Sequence, residues 1–311
     1  MIRQVCWFMT RKCNLRCSYC KVWKNRRPKQ LNTKESKLLL DKVAELDPEI
    51  LIFFGGEPTI RPDFNELVKY ANDLGIDYAI ITNGTNDIDY SICKNITCSV
   101  DIVPKKHIKH SKSIELKSHK GYSTLLSAKR AGVPDVVGNM IIHKESYEYI
   151  PDLIRLLSKQ NIWSIVGYVH SGTWNDWEFR TDCHAMMLNK KEIDWISQEL
   201  LKLKNNSNIL LHNVKEYFKL LPKHYDYSWK CGGDIEYLAV DEDGTIMACP
   251  DYRGKRCPNH SIFDLDLQQL QKDWQKDIKD CHNNPTGVNC FYNHMLQLAY
   301  SKSKDKVLIH K

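Results

Sequence analysis

The sequence predicts an α/β protein, a partial (β/α)6 parallel barrel followed by a small cysteine-rich α+β domain. Three observations carry this expectation. Short β-branched runs alternate with helical stretches over the first two thirds, as in βαβ units. That periodicity breaks up after residue 205, and cysteines then return at 231, 249, 257, 281 and 290. With 311 residues, 42% of them hydrophobic, the chain can bury one large core and a smaller appendage.

The six expected strands cover residues 5–9, 50–54, 78–82, 97–103, 136–143 and 164–170. Between them, Asp63 and Glu66 have the spacing of a capping box, and Phe64, Leu67, Val68, Ala71 and Leu74 recur at helical spacing before Gly75. Ile150, Leu153, Ile154 and Leu157 repeat the pattern, as do Ile193, Ile196, Leu200 and Leu203, and these stripes read as core. The barrel is therefore assigned to residues 1–205, a linker with a short helix at 214–221 to residues 206–230, and the auxiliary domain with its basic tail to residues 231–311. Residues 235–248 read as a β-hairpin turning at Asp243-Gly244.

Directly after the first strand come Cys13, Cys17 and Cys20, spaced C-x3-C-x2-C with Tyr19 before the last. Three thiolates can hold a four-iron cluster and leave one iron open, since such clusters normally take four. A zinc loop would usually close with a second nearby pair, and none follows Cys20. The motif resembles that of the radical S-adenosylmethionine superfamily, in which the open iron is chelated by the amino and carboxylate groups of S-adenosylmethionine.

In a parallel barrel, chemistry collects at the C-terminal ends of the strands. Gly55-Gly56-Glu57-Pro58 follows the second strand and is similar to the GGEP motif of the same superfamily. The resemblance implies that its backbone and carboxylate receive the cofactor's amino group. Two glycines would let the chain pass close to a ligand, and a carboxylate suits an ammonium. Asn83-Gly84 after the third strand, and Ser99 and Asp101 on the fourth, are similar to positions that contact the ribose, the carboxylate or the substrate. An ordinary turn and a solvated strand end are the plainer readings. Many relatives carry an Arg-Gly pair after the fourth strand; this chain does not.

The spacing Cys231-x12-Gly244-x4-Cys249 resembles the opening half of SPASM and twitch domains. At the positions of the later C-x2-C-x5-C-x3-C run stand Cys281, Asn284, Cys290 and His294, so two of four thiols are absent. Cys231, Cys249, Cys281 and Cys290 suffice for one auxiliary 4Fe-4S cluster, with Cys257 as an alternate ligand and His294 as a ligand or a surface imidazole. A zinc-stabilised hairpin is the competing reading. Cys6, Cys93, Cys98 and Cys183 read as small buried hydrophobes.

No apolar run is long enough to span a bilayer, and the N-terminus lacks the features of a signal peptide, so the cytosol is the expected location. Twelve cysteines then point to metal ligation rather than disulfides. The resemblance implies reductive cleavage of S-adenosylmethionine to a 5'-deoxyadenosyl radical. This radical abstracts hydrogen from a peptide, protein or small metabolite, with net oxidation assisted by the auxiliary cluster. A flavodoxin or ferredoxin is the expected electron donor. The chain starts directly at its first strand, so recognition of a leader peptide would need a separate partner. The net charge of +7 keeps open the modification of RNA or DNA, and a non-catalytic Fe-S or zinc protein is the third reading. Trp163, Tyr168, Trp174, Trp177 and Phe179 are candidates for lining the substrate opening or for packing beneath the C-terminal domain. No residue identifies itself as the catalytic acid or base.

Overall fold

The computed structural model describes residues 2–100, 120–169, 184–225, 236–247 and 257–282. One eight-stranded sheet organises them, with the order β6-β5-β4-β3-β2-β1-β7-β8. Its strands are β1 (Gln4–Thr10), β2 (Ile50–Gly55), β3 (Tyr78–Thr82), β4 (Asn95–Ser99), β5 (Asp135–Ile142), β6 (Trp163–Tyr168), β7 (Tyr237–Val240) and β8 (Ile246–Met247). All neighbours pair in parallel except β7 and β8. This is the α/β partial barrel that the alternating pattern predicts. The fourth strand begins and ends earlier than expected, at Asn95 and Ser99, and the sixth stops at Tyr168.

Around the sheet pack α1 (Thr33–Leu46), α2 (Phe64–Asp73), α3 (Lys120–Arg130), α4 (Ile150–Lys159), α5 (Lys190–Lys204), α6 (Lys215–Leu220) and α7 (Leu267–His282). The connection from β3 to β4 contains only a single 3-10 turn, Tyr90–Ile92. Capping boxes open α1 and α5, where Asn32 accepts from the Glu35 amide and Asn189 from that of Glu192. The capping box expected at Asp63 does not form, because Asp63 makes no side-chain cap. Its carboxylate is taken by Arg61, through Nε at 2.8 Å and Nη2 at 2.7 Å, and by the Thr33 hydroxyl at 2.9 Å. A buried guanidinium is a stronger partner than a helix amide.

β1 is buried along its whole length, as a parallel strand covered on both faces should be. Val5, Trp7 and Met9 join the large core under the helices. Cys6 and Phe8 face the other side, with Ile52, Tyr237, Ala239, Met247 and Val22. The aromatic pairs Trp7–Phe53 and Phe8–Phe54 lock neighbouring strands on opposite faces, with ring centroids 6.0 and 4.7 Å apart.

The expected hairpin forms, and it turns at Asp243-Gly244 with Gly244 at φ +88°. Its first strand pairs in parallel with β1, in register from Gln4–Tyr237 to Trp7–Val240, so the hairpin extends the barrel sheet. At the opposite edge, Leu211 bridges to Ser164 of β6. The Asn213 amide accepts from Val166 N at 2.9 Å and donates to Val166 O at 2.8 Å. One side chain thus imitates a strand peptide and covers a sheet edge. Tyr217, Phe218 and Leu221 are buried behind it, so residues 211–221 pack against the barrel.

Candidate functional site

The C-terminal ends of the central strands β1, β2 and β3 lie side by side at one end of the sheet, and the motifs that follow them are bonded together. Cys13, Cys17 and Cys20 lie on the segment between β1 and α1, whose only helical turn is Val22–Lys24. The Cys20 amide donates to Cys17 O at 3.1 Å, closing a tight turn that contains Tyr19. The Trp23 indole donates to Cys20 O at 3.2 Å, and Arg16 lies over the Trp23 ring. Cys20 also packs against the inner apolar cluster.

Gly55 and Gly56 are needed here for a reason the sequence reading did not give. A Cβ on Gly55 would stand 2.2 Å from Thr10 O, and one on Gly56 2.2 Å from Lys12 O. What approaches the two glycines is the backbone entering the cysteine segment. The Gly56 amide donates to Thr10 O at 2.7 Å and the Glu57 amide to Lys12 O at 2.8 Å. Gly55 has φ +145°, a value that glycine accepts and L residues rarely adopt. Pro58 opens the 3-10 turn Pro58–Ile60, where its missing N–H costs no hydrogen bond.

Glu57 is fully buried, and its carboxylate already has partners. Oε1 accepts from the Thr59 amide at 3.2 Å, the Thr59 hydroxyl at 2.6 Å and the Thr82 hydroxyl at 2.8 Å. Oε2 accepts from the Asn83 amide at 2.7 Å. The carboxylate expected to meet an ammonium also joins the β2 and β3 turns from within. Asn83 carries the connection onward: its side chain donates to Asn14 Oδ1 at 2.9 Å and lies 3.9 Å from Cys13 Sγ, while Asn14 donates to Thr85 Oγ1 at 2.7 Å. Gly84 has φ +71° and no room for a Cβ beside Cys98 Sγ, so the turn after β3 is specifically a glycine turn. Ser99 ends β4 opposite Asn139 of β5, outside this group of bonds.

Among the described residues the cysteines divide into two kinds. Cys13, Cys17 and Cys20 are half-buried, whereas Cys6, Cys93, Cys98 and Cys257 are buried. Burial pushes the Cys6 and Cys93 thiols up to about 12, with the charge of Asp89 adding to the effect at Cys93. Such thiols stay protonated, and a metal ligand must be a thiolate. Among the described residues no three His, Cys, Asp or Glu side chains are grouped to hold a single metal ion. A four-iron cluster makes a different demand, because its thiolates bind separate irons. Three half-exposed thiols on one segment, beside a turn fixed by glycines, fit that demand. Cys231, Cys249, Cys290 and His294, the Cys281 side chain, and Asp101, Trp174, Trp177 and Phe179 lie outside the described residues. Cys257 is part of the large core, and its amide donates to Asp277 at 3.1 Å.

Sequence reading missed Arg11, Arg27, Asp241 and Glu242. Arg11, Asp241 and Glu242 are fully buried. Arg11 meets Asp241 in a two-pronged ion pair, Nε to Oδ1 at 2.7 Å and Nη2 to Oδ2 at 2.8 Å, and Arg27 Nε lies 2.5 Å from Oδ2. Burial alone would raise the Asp241 carboxyl, but the hydrogen bonds and charges of Arg11 and Arg27 outweigh it and hold the carboxyl below its ordinary value. No local pattern announces these residues, since their partners lie more than two hundred positions away. Among the described residues no helix is long and apolar enough to cross a membrane.

Residues 7–157 match the family described as the Radical SAM superfamily. The chain is 40% identical over 85 residues to an AdoMet-dependent heme synthase of Oleidesulfovibrio alaskensis, a match covering 27% of this chain and 22% of the relative. It is 43% identical over 77 residues to the PqqA peptide cyclase of Bradyrhizobium diazoefficiens, covering 24% and 20%. Both matches span less than a quarter of the relative's length. Among solved structures, Streptococcus suis SuiB superposes with a TM-score of 0.65 at 14% identity, over 98% of this chain and 75% of that one. SuiB has also been solved bound to the precursor peptide SuiA.

Proposed function

Starting from the radical SAM domain that this chain carries, we propose that it is a radical S-adenosylmethionine enzyme that modifies a peptide or protein. The observation carrying the site is the bonding of the glycine turn to the backbone just before Cys13, next to three half-exposed thiols. Cys13, Cys17 and Cys20 would hold a 4Fe-4S cluster. Gly55, Gly56 and Pro58 fix the neighbouring turn, and Tyr19, Glu57, Asn83 and Ser99 are proposed to contact S-adenosylmethionine there. Together the cluster and S-adenosylmethionine supply one-electron cleavage and a radical able to abstract hydrogen from an unactivated C–H bond. The chain's residues contribute by fixing the turns around the thiols and by closing one side of the barrel with Phe8, Ile52, Phe54 and Tyr237, an apolar wall that excludes water.

A peptide substrate is favoured because the named relatives include a peptide cyclase and because the fold is that of a protein solved with a precursor peptide. The match to the heme synthase is nearly as short as that to the peptide cyclase, so both speak first for shared cofactor chemistry, and a small-metabolite substrate is the alternative reading. Cys231, Cys249, Cys281 and Cys290 are proposed as ligands of a second cluster that accepts the electron in a net oxidation. Cys257, which is buried in the large core, stays proposed as their alternate. Residues 1–205, 206–230 and 231–311 are the proposed division into barrel, connection and auxiliary region, the hairpin of the last being joined to the barrel sheet.

The test is anaerobic reconstitution with iron and sulfide, followed by dithionite and S-adenosylmethionine. About eight irons per chain supports two clusters and about four supports one. Formation of 5'-deoxyadenosine that is abolished by Cys17→Ala and unaffected by Cys93→Ala is expected. Absence of cofactor cleavage in fully loaded protein would refute the reading.

A further inference from the structure

The segment that carries the three cysteines is closed by the turn of the C-terminal hairpin, 214 to 231 residues away in sequence. Two adjacent side chains there bind both ends of the same stretch. Glu242 Oε2 accepts from the Arg11 amide at 2.8 Å and its Oε1 from the Arg27 amide at 2.7 Å. Asp241 pairs with the side chains of the same two arginines. A third tie, Leu31 N to Glu242 O at 2.8 Å, fastens the exit toward α1, and Arg11 Nη1 donates to Asn25 O at 2.9 Å. All three cysteines lie between Arg11 and Arg27.

Charge explains why acidic residues must come from elsewhere. Residues 11–31 contain eight basic residues and no acidic one, so this stretch cannot supply its own counter-charge. The turn that offers the carboxylates is itself rigid. Its Gly244 has φ +88° and amide to Asp241 O at 3.0 Å, and the Asp243 side chain accepts from Thr245 N at 3.0 Å. Two adjacent buried carboxylates, Asp241 with two cationic donors and Glu242 with two amide donors, hold their partners in one arrangement, because any other leaves a charge unpaired.

We propose that Asp241 and Glu242 are positioning residues of the cluster site, holding the cysteine segment in its ligating shape through Arg11 and Arg27. This rests on the reading of Cys13, Cys17 and Cys20 as cluster ligands. It extends that site to a part of the chain outside the matched family region of residues 7–157.

The test uses full-length Glu242→Gln, Asp241→Asn and Arg27→Met, the last being the mildest because Arg27 lies at the rim and leaves the Arg11–Asp241 pair intact. Amide hydrogen exchange of the cluster-free chain is read over residues 11–31 and, as an internal control, over β3 to β5. Exchange in 11–31 is expected to rise about tenfold or more, the scale of one lost charge-assisted hydrogen bond, while the control strands stay protected. In loaded protein, transfer of iron to a chelator is expected to speed up by a similar factor with all three cysteines present. If Glu242→Gln or Asp241→Asn loses protection everywhere, Arg27→Met decides. Unchanged exchange in residues 11–31, or unchanged iron transfer from loaded protein, overturns the proposal. Failure of the functional reading looks different: the wild-type chain then takes up no cluster dependent on Cys17, while the exchange comparison still reports on the clamp.

Discussion

Replacing Glu57 separates a positioning carboxylate from one that meets a ligand. Glu57→Ala removes the acceptor of four hydrogen bonds. Of the donors left without an acceptor, the Thr82 hydroxyl is fully buried and the Asn83 amide carries the turn after β3, so these two dominate the cost. At about 1–3 kcal/mol for each buried group left unsatisfied, the loss is about 4 kcal/mol. Glu57→Gln retains one oxygen and turns an NH2 group toward one set of donors, for a loss of about 2 kcal/mol. Urea unfolding of the cluster-free chain, followed by far-UV circular dichroism, measures both. A double-mutant cycle with Thr82→Val should return a coupling of about 1 kcal/mol. If Glu57→Gln unfolds like the wild type yet loses S-adenosylmethionine binding, the carboxylate faces the ligand and the positioning argument is wrong.

Three further outcomes are expected. Gly56→Ala drives a Cβ into Lys12 O and should cost about 3 kcal/mol in the same unfolding assay while abolishing cluster uptake, measured as iron per chain. Asn213→Ala strips both peptide groups of Val166 of their partner, and thermal unfolding should show a loss of about 2–3 kcal/mol with cluster content per folded chain unchanged. Asp241 has a folded pKa below its ordinary 3.8. Its stabilisation is therefore complete above that value and is lost as pH falls through the lower folded value. Acid titration of stability should flatten below about pH 4 in Asp241→Asn by up to about 1.4 kcal/mol per pH unit.

What the chain reveals on reading, and what it hides, follows from the range of each interaction. The strands of the barrel are legible because β-branched runs and helical stripes are local, and Tyr78–Thr82 falls where the pattern puts it. The hairpin at Asp243-Gly244 is legible for the same reason. Its membership of the barrel sheet is not, because the pairing of Val5 with Leu238 leaves no periodic trace in either segment. The Asp63 capping box fails because Arg61, two residues earlier, competes for the same carboxylate. At the candidate site, residue types and spacing single out Cys13, Cys17, Cys20 and the glycine turn as candidates, but the partner of each group depends on tertiary approach. Gly55 and Gly56 make room for Thr10 and Lys12, and Glu57 turns inward to Thr82 and Asn83.

The attachment of the Arg11–Arg27 stretch to Asp241 and Glu242 also sets an order of events during synthesis. The cysteines leave the ribosome early, while their acidic counterparts are still untranslated. At about 5–20 residues per second that interval is roughly ten to fifty seconds. During it, a strongly cationic stretch with three thiols has no carboxylate from the hairpin to fold against. On the proposed reading, assembly of a stable iron site waits for synthesis of the hairpin, and truncations that stop before residue 241 should accumulate as oxidation-prone protein without iron.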